Sequence, residues 1–266
     1  MKQRVIFMSK YTVPAIDHSM KILEYLRLES PRSKSLSEIA ESVSLNKSTC
    51  FRILQSLQKY NIVFQEKDKT YKLGMYLTIL GEKASDYSYD LKKIQYYLKK
   101  ASELTNETCM VSQRFGYNEM IYIAKQESQN EFRINTSVGQ KRTMINTSGG
   151  KCYLAFSEEE VFSIIESLGG LSKYTPHSII DMEEYMRELS RIRERGYSIG
   201  NQEYVLGVSG VAVPILDSNQ QPSLFLSLSC FSAQNDNEKL HSYGSLLKKI
   251  ADEMSRNINK NHQIIS

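Results

Sequence analysis

A run of polar and basic residues near position 50 carries groups that can bind a nucleic acid. Lys47, Ser48 and Thr49 stand together, Arg52 follows them, and Gln55 comes about one helical turn later. Hydroxyl groups can hydrogen-bond phosphates or bases, a guanidinium can bind guanine or phosphate in a forked geometry, and a glutamine amide can pair with adenine. This composition is typical of the tip of a helix that enters the major groove of DNA. The alternative is that the hydroxyls only cap a helix and the cations only face solvent.

Two helices that meet at a tight turn are predicted to position this tip. The first opens at residues 35–38, whose serines and glutamate have the composition of a capping box, and it continues to residue 43. Residues 44–46 form the turn, and the second helix runs from 47 to 60. Its inward residues are predicted to be Ile53, Leu54 and Leu57, with either Cys50 or Phe51. Ser37 is a further candidate DNA contact, because the first helix of such a pair crosses the DNA backbone.

An earlier helix and a later hairpin complete the predicted unit. Residues 15–28 place Ile16, Met20, Leu23 and Leu26 at spacings of three and four, which predicts one buried helix face. Residues 62–65 and 70–73 flank a charged turn and predict a β-hairpin. Three cations of this hairpin, Lys67, Lys69 and Lys72, are candidate contacts to phosphates or to the minor groove. A helix, a helix-turn-helix and a hairpin in this order predict a winged helix-turn-helix.

Charge and composition are consistent with this prediction. The 266-residue chain has a net charge of +4, and residues 1–85 carry 14 Lys or Arg against 8 Asp or Glu, so the remainder is net negative by two charges. A basic surface is therefore expected at the N-terminal end. No stretch approaches the roughly 18 apolar residues of a membrane span, and none resembles a signal-peptide core. We expect a cytoplasmic protein without membrane contact.

The second half of the chain predicts an α+β domain. Helical patterns cover 75–85, 91–105, 150–168, 182–195 and the C-terminal segment, where Leu240, Leu247, Ile250 and Met254 share one face. Strand patterns cover 110–114, 120–126, 207–216 and 224–231. Antiparallel strands with helices outside are therefore expected. We predict a first domain at 1–85, a linker at 86–93 and a second domain at 94–266.

Cysteine and histidine give no sign of a metal or a cofactor. The four cysteines are far apart without a Cys-x-x-Cys pair, and the four histidines are equally scattered. We expect buried, reduced thiols and no bound cofactor.

An ordered set of short segments resembles the isocitrate lyase regulator (IclR) family of bacterial transcription regulators. The segments are Leu36–Ala40, Lys47–Thr49, Arg52–Leu54, Tyr71–Gly74, Gly150–Lys151, Leu154–Ala155, Arg195–Tyr197, Glu203, Gly207–Val208 and Val211–Ile215. No single segment is specific, but the ordered set is, and it covers roughly residues 15–258.

This resemblance implies a homodimer, or a pair of dimers, bound to a pseudo-palindromic operator in double-stranded DNA. It also implies a GAF-like C-terminal domain that binds a small organic acid or aromatic metabolite as effector. The family's ligand contacts fall on Ser148, Gly149, Gly200, Gly210, Ser227 and Ser229. Hydroxyl and backbone N–H groups at such positions can orient a carboxylate without a metal.

Three positions depart from the family pattern. Gly200 stands where members that bind short keto acids can have aspartate, and Gly210 stands where cysteine is frequent. Both changes remove a polar or polarizable side chain and leave space, which favours a larger effector than glyoxylate or pyruvate, or none. Ser44 stands where a turn glycine is common, so the turn is expected to be strained or to differ in geometry.

Other classes of function remain as alternatives. Gly149–Lys151 has a faint likeness to a phosphate-binding loop, but that motif needs glycine at Ile145 and Ser or Thr at Cys152. No pair of a nucleophile and a base is evident, so we do not expect an enzyme. The remaining alternatives are a DNA-binding regulator with a non-functional ligand site and a winged helix that binds protein. Steep salt dependence would distinguish DNA binding from the latter.

Overall fold

The computed structural model describes residues 13–88, 91–157 and 160–259, and the chain divides into two compact units at residues 1–88 and 89–266. The first unit contains α1 (Pro14–Glu29), α2 (Leu36–Ser42), α3 (Lys47–Lys59), β1 (Val63–Gln65), β2 (Tyr71–Leu73) and α4 (Tyr76–Ser88). The second begins with α5 (Leu91–Thr105), β3 (Thr108–Phe115), β4 (Glu119–Gln126), β5 (Lys141–Thr143) and α6 (Ser148–Ala155). It continues with α7 (Val161–Ser167), α8 (Met182–Arg195), β6 (Ser198–Asn201), β7 (Val208–Leu216), β8 (Pro222–Phe231) and α9 (Asn237–Asn259). The predicted two-part α+β class is confirmed.

The core of the first unit joins α1, α2 and α3 to the hairpin of β1 and β2. Its fully buried side chains are Ile22, Leu26, Ile39, Ala40, Cys50, Leu54, Val63 and Tyr71. The predicted inner face of α1 was partly wrong, because Ile16 is 61% and Met20 59% exposed whereas Ile22 is fully buried. Apolar residues lie on more than one side of this helix, so spacing alone did not fix which side faces the core.

The turn between α2 and α3 has a left-handed residue that is not glycine. Ser44 has φ of +55°, and the N–H of Leu45 donates to the carbonyl of Ala40 at 2.9 Å. The glycine-like geometry is therefore kept, with a serine in a conformation that L-residues adopt at a cost.

The second unit is built on an antiparallel sheet of six strands in the order β5-β4-β3-β8-β7-β6. Alternate residues of β7 point to opposite faces, so Val211 and Val213 pack with α5 and α9 while Ala212 packs with α6, α7 and α8. The predicted face of α9 is confirmed: Leu240, Leu247, Ile250 and Met254 are all buried.

Several predicted bounds differ from the structure. The segment predicted as one helix at 150–168 contains α6, which ends at Ala155, and α7, which begins at Val161. Much of the predicted linker is helical, because α4 extends to Ser88 and α5 starts at Leu91, with no proline or glycine between Gly81 and Gly116 to stop a helix. Strands β5 and β6 were not predicted, since three or four residues show no clear alternation.

All four cysteines are buried and unpaired. Burial raises the pKa of the Cys109 and Cys230 thiols to about 12 and raises that of Cys152 still further. Within the described ranges, no helix is long and apolar enough to cross a membrane.

Candidate nucleic-acid interface and ligand cavity

The N-terminal end of α3 presents a polar surface next to the residue that caps the helix. Asn46 is the N-cap, and its Oδ1 accepts the backbone N–H of Thr49 at 2.8 Å and the hydroxyl of Ser48 at 2.8 Å. Lys47, Ser48, Arg52 and Gln55 are exposed, whereas Thr49 is half-buried. The Ser48 hydroxyl thus has a capping partner in the protein, yet its oxygen can still accept a hydrogen bond. The guanidinium of Arg52 has no partner among the described residues.

An exposed aromatic ring on α3 was missed from the sequence. The prediction left open whether Cys50 or Phe51 faces the core, and the structure places Cys50 inside and leaves Phe51 44% exposed. Residues three, four and seven apart lie on one side of a helix, so Phe51 stands beside Ser48 and Gln55 on the exposed face. An exposed Phe at this position can contact the methyl group of thymine.

The three lysines of the β1–β2 hairpin differ in their position and in their ion pairing. Lys67 and Lys69 are exposed on the turn, whereas Lys72 forms an ion pair with Glu66 and lies 5.3 Å from the centre of the Phe64 ring. Lys67 and Lys69 are therefore more available for phosphates than Lys72 is. Ser37 is exposed in the first turn of α2, next to the capping box that Ser35 and Glu38 form.

A cavity of about 260 Å³ opens in the second unit beside the N-terminal end of α6. Of the residues predicted from the family resemblance, it is lined by Ser148, Gly200, Gly210 and Ser229. Gly149 and Ser227 do not line it. A Cβ on Gly149 would stand 3.4 Å from the Ser112 hydroxyl, and the hydroxyl of the buried Ser227 is directed to the carbonyl of Met110 at 3.4 Å.

The two glycines of the cavity face each other across β6 and β7 and differ in the space beside them. Gly200 pairs with Gly210 in the sheet. A Cβ on Gly210 would lie 3.0 Å from the Ser148 hydroxyl and 3.1 Å from the carbonyl of Leu228. On Gly200 it would lie 3.4 Å from the N–H nitrogen of Ser148, an ordinary contact. The space expected at Gly210 is therefore partly filled by Ser148, and Gly200 is the more open position.

A polar part of the cavity wall was not predicted from the sequence. Its residues include Tyr122, Thr136, Arg142, Asn146, Glu203 and Tyr204. Glu203 is 7% exposed, and its Oε1 lies 2.5 Å from the Nζ of Lys151, which is fully buried and also donates to the carbonyl of Ile199 at 2.9 Å. Burial raises the pKa of Glu203, and the charge of Lys151 opposes that shift. Glu203 and Lys151 were noticed only as members of the family pattern, since a sequence does not show which distant residues pair.

The family models match both units. The model for the IclR helix-turn-helix domain matches residues 15–67, and the model for the bacterial transcriptional regulator IclR C-terminal domain matches residues 88–256. This chain belongs to the IclR family. Members of this family are DNA-binding transcription regulators, and the helix-turn-helix is their DNA-binding domain.

Other IclR proteins align along nearly the whole chain. The transcriptional repressor AllR of Escherichia coli K12 is 29% identical over 244 residues, which cover 91% of this chain and 89% of AllR. The crystal structure of an IclR regulator from Alicyclobacillus acidocaldarius has a TM-score of 0.80 at 31% identity and covers 92% of this chain and 99% of its own. An IclR homolog from Microbacterium hydrocarbonoxydans, solved in complex with 4-hydroxybenzoate, has the same fold at 20% identity, with a TM-score of 0.76 over 91% of this chain and 99% of its own.

Proposed function

We propose that this IclR-family protein is a repressor that binds a pseudo-palindromic operator and whose operator affinity is changed by a small molecule in the cavity of the second unit. The observation that carries the proposal is the exposed face of α3, where Ser48, Arg52 and Gln55 stand free of the core within a helix-turn-helix. Repression is supported by the name of the AllR relative.

Arg52 is the principal reader of this surface. Its guanidinium is exposed and unpaired within the described residues, so no protein contact has to be broken before it binds guanine or phosphate. Phosphate contacts come from Lys47 at the start of α3 and from Lys67 and Lys69 in the turn of the β1–β2 hairpin. These contacts set affinity rather than sequence preference.

A homodimer places two such helices on one operator. Two α3 helices can occupy successive major grooves only when they are about 34 Å apart. Apolar side chains that are exposed in the single chain support dimerization through the first unit. They include Ile16 and Met20 on α1 and Ile79 and Leu80 on α4.

The effector acts by binding one dimer geometry better than another. A ligand that prefers one spacing of the two α3 helices changes operator affinity by its differential affinity for the two states. The 260 Å³ cavity supports this role, because it combines backbone N–H groups, hydroxyls and a cation in a partly closed space.

The first experiment is selection of bound fragments from random duplex DNA by the purified chain at two salt concentrations. We expect recovery of a palindromic site whose affinity falls steeply with salt, because neutralised phosphates release counterions. Arg52→Ala is expected to weaken binding to that site by about 1–3 kcal/mol. The matched control is Arg187→Ala, which removes the same charge from an exposed side chain of α8 in the second unit. Failure to enrich any site would contradict the proposal and favour a protein partner.

The role of the cavity has its own variant. Gly200→Leu fills the cavity from its more open glycine and is expected to abolish the effector response while operator binding remains. Gly210→Leu is less suitable, because its side chain would meet the backbone carbonyl of Leu228. Loss of both activities together in Gly200→Leu would argue against separable units, and an unchanged effector response would show that the effector does not act through this cavity.

A further inference from the structure

The side chain of Asn46, at the start of α3, fixes the orientation of the Ser48 hydroxyl. Its Oδ1 accepts the backbone N–H of Thr49 and the hydroxyl of Ser48, both at 2.8 Å. A backbone N–H can only donate, so the Asn46 atom that faces Thr49 must be the amide oxygen and not the amide nitrogen. This oxygen carries no hydrogen. The proton in the contact between Ser48 and Asn46 therefore belongs to the serine.

This arrangement leaves the Ser48 hydroxyl with the capacity to accept hydrogen bonds and none to donate them. A serine hydroxyl has one proton and two lone pairs, and the proton of Ser48 is directed at Asn46. Phosphate oxygens and base carbonyls need a donor, whereas an amino group is one. While the contact with Asn46 lasts, Ser48 can therefore bind an amino group but cannot donate to a phosphate.

Ser48 has the position of a residue that reads base edges. It is exposed in the first turn of α3, and in a helix-turn-helix the N-terminal residues of the second helix contact bases in the major groove. In that groove adenine and cytosine each present an amino group, whereas guanine presents O6 and N7 and thymine presents O4. A group that only accepts thus favours adenine or cytosine on the strand that it faces. On guanine or thymine it meets lone pairs.

Building on the proposed operator, we propose that Ser48 selects adenine or cytosine at one position of each half-site, and that Asn46 is the positioning residue behind this preference. Asn46 acts through Ser48, because it keeps the hydroxyl proton away from the DNA. Without this contact the hydroxyl can rotate and donate, and a serine that both donates and accepts can bind any of the four bases. Ser48 is in this respect the opposite of Arg52, whose guanidinium only donates.

Base analogues test the contact between Ser48 and an amino group. In the selected operator, each adenine is replaced in turn by purine and each cytosine by 2-pyrimidinone, which removes only the amino group. Fluorescence anisotropy gives the ratio of affinities for the intact and the substituted duplex. At one position of each half-site we expect this ratio to be about fivefold or more larger for the native protein than for Ser48→Ala. Both proteins bind the same duplexes, so the comparison removes any effect of the weakened base pair.

Ser245→Ala is the matched control for the loss of an exposed hydroxyl. The Ser245 hydroxyl lies on α9 in the second unit and donates to the carbonyl of His241 at 3.1 Å. This variant is expected to give the native ratio at every position. If Ser48→Ala also gives the native ratio at every adenine and cytosine, Ser48 reads no amino group and the proposal is overturned.

Two substitutions of Asn46 separate its effect on Ser48 from its role as a helix cap. Asn46→Asp keeps an oxygen that accepts from Thr49 and Ser48, whereas Asn46→Gly removes it at a small cost in helix stability. The readout is the preference for adenine or cytosine over guanine or thymine at the position that the analogues identify. We expect Asn46→Asp to keep this preference, although its added negative charge weakens binding to every sequence, and Asn46→Gly to reduce it about fivefold or more. An unchanged preference in Asn46→Gly, or its loss in Asn46→Asp, would overturn the positioning role.

Failure of this proposal can be told apart from failure of the proposed function. If the selection yields a salt-sensitive operator and no amino group is coupled to Ser48, the operator stands and only the base preference assigned to Ser48 is wrong. If the selection enriches no site at either salt concentration, the operator itself is wrong and the preference of Ser48 falls with it.

Discussion

Lys151 Nζ lies 2.5 Å from Glu203 Oε1, and the two side chains are 1% and 8% exposed. The pair joins α6 to the segment that follows β6, and of its two members Glu203 lines the cavity whereas Lys151 does not. A buried ion pair adds little over an apolar pair of the same volume, but one charge left alone in the interior is costly.

We therefore expect Lys151→Met to destabilise the second unit by about 3–5 kcal/mol, because Glu203 then remains buried without its partner. The double variant Lys151→Met with Glu203→Leu is expected to recover much of that loss. Urea unfolding followed by circular dichroism measures both. A double variant as unstable as the single one would show that packing of the lysine chain, rather than charge, is what matters.

Ser44→Gly is expected to raise stability by about 0.5–1 kcal/mol. Serine at φ of +55° is strained, and glycine adopts this conformation freely, although it also gains freedom in the unfolded chain. Ser245→Gly, on the exposed side of α9, is the control and is expected to lower stability by about 0.5 kcal/mol. Thermal unfolding of the two variants checks the signs, and a loss of stability at position 44 would show that the serine side chain compensates for its strain.

Phe51 is expected to read a thymine methyl group in the operator. Replacing thymines of the selected site by uracil should weaken binding of the native protein at one position in each half-site by about 1 kcal/mol or more. Phe51→Ala should bind the thymine and uracil sites alike, with unfolding nearly unchanged because the ring is exposed. If every uracil substitution is neutral for the native protein, Phe51 does not contact a methyl group.

The lysines of the β1–β2 hairpin are expected to differ in their effect on the salt dependence of operator binding. Lys67→Ala should reduce the slope of log affinity against log salt by about 1, since an exposed cation lost from a phosphate contact releases one counterion fewer. Lys72→Ala should reduce it less, because Lys72 is already paired with Glu66. Fluorescence anisotropy over a salt series gives the slopes, and a larger effect at Lys72 would mean that Glu66 releases it when DNA binds.

The parts of the molecule that could be predicted from sequence are those governed by local rules. The capping residues, the periodic helices α5 and α8 and the alternating strand β7 follow from neighbours a few positions apart. The buried face of α1 could not be predicted in this way, because apolar side chains lie on several sides of the helix and form no single stripe. The short edge strands β5 and β6 depend on pairing with distant strands and leave almost no local pattern.

The cavity residues likewise include some that could be predicted from the sequence and some that could not. The residues that came from the family resemblance include Ser148, Gly200, Gly210 and Ser229, which line it. Thr136 and Asn146 lie in irregular segments without periodicity, and the role of Glu203 depends on an ion pair across 52 positions of the chain. Such contacts exist only once the sheet is assembled, so no spacing rule could have assigned them.

The four buried thiols give the protein internal reporters of local opening. Cys50 lies in the core of the first unit, whereas Cys109, Cys152 and Cys230 lie in the second. A thiol that is both covered and hard to ionise reacts with an alkylating reagent only when the structure around it opens. The rate at which each cysteine is labelled therefore reports the opening of its own unit, and operator DNA and effector can each be followed by the thiols they protect.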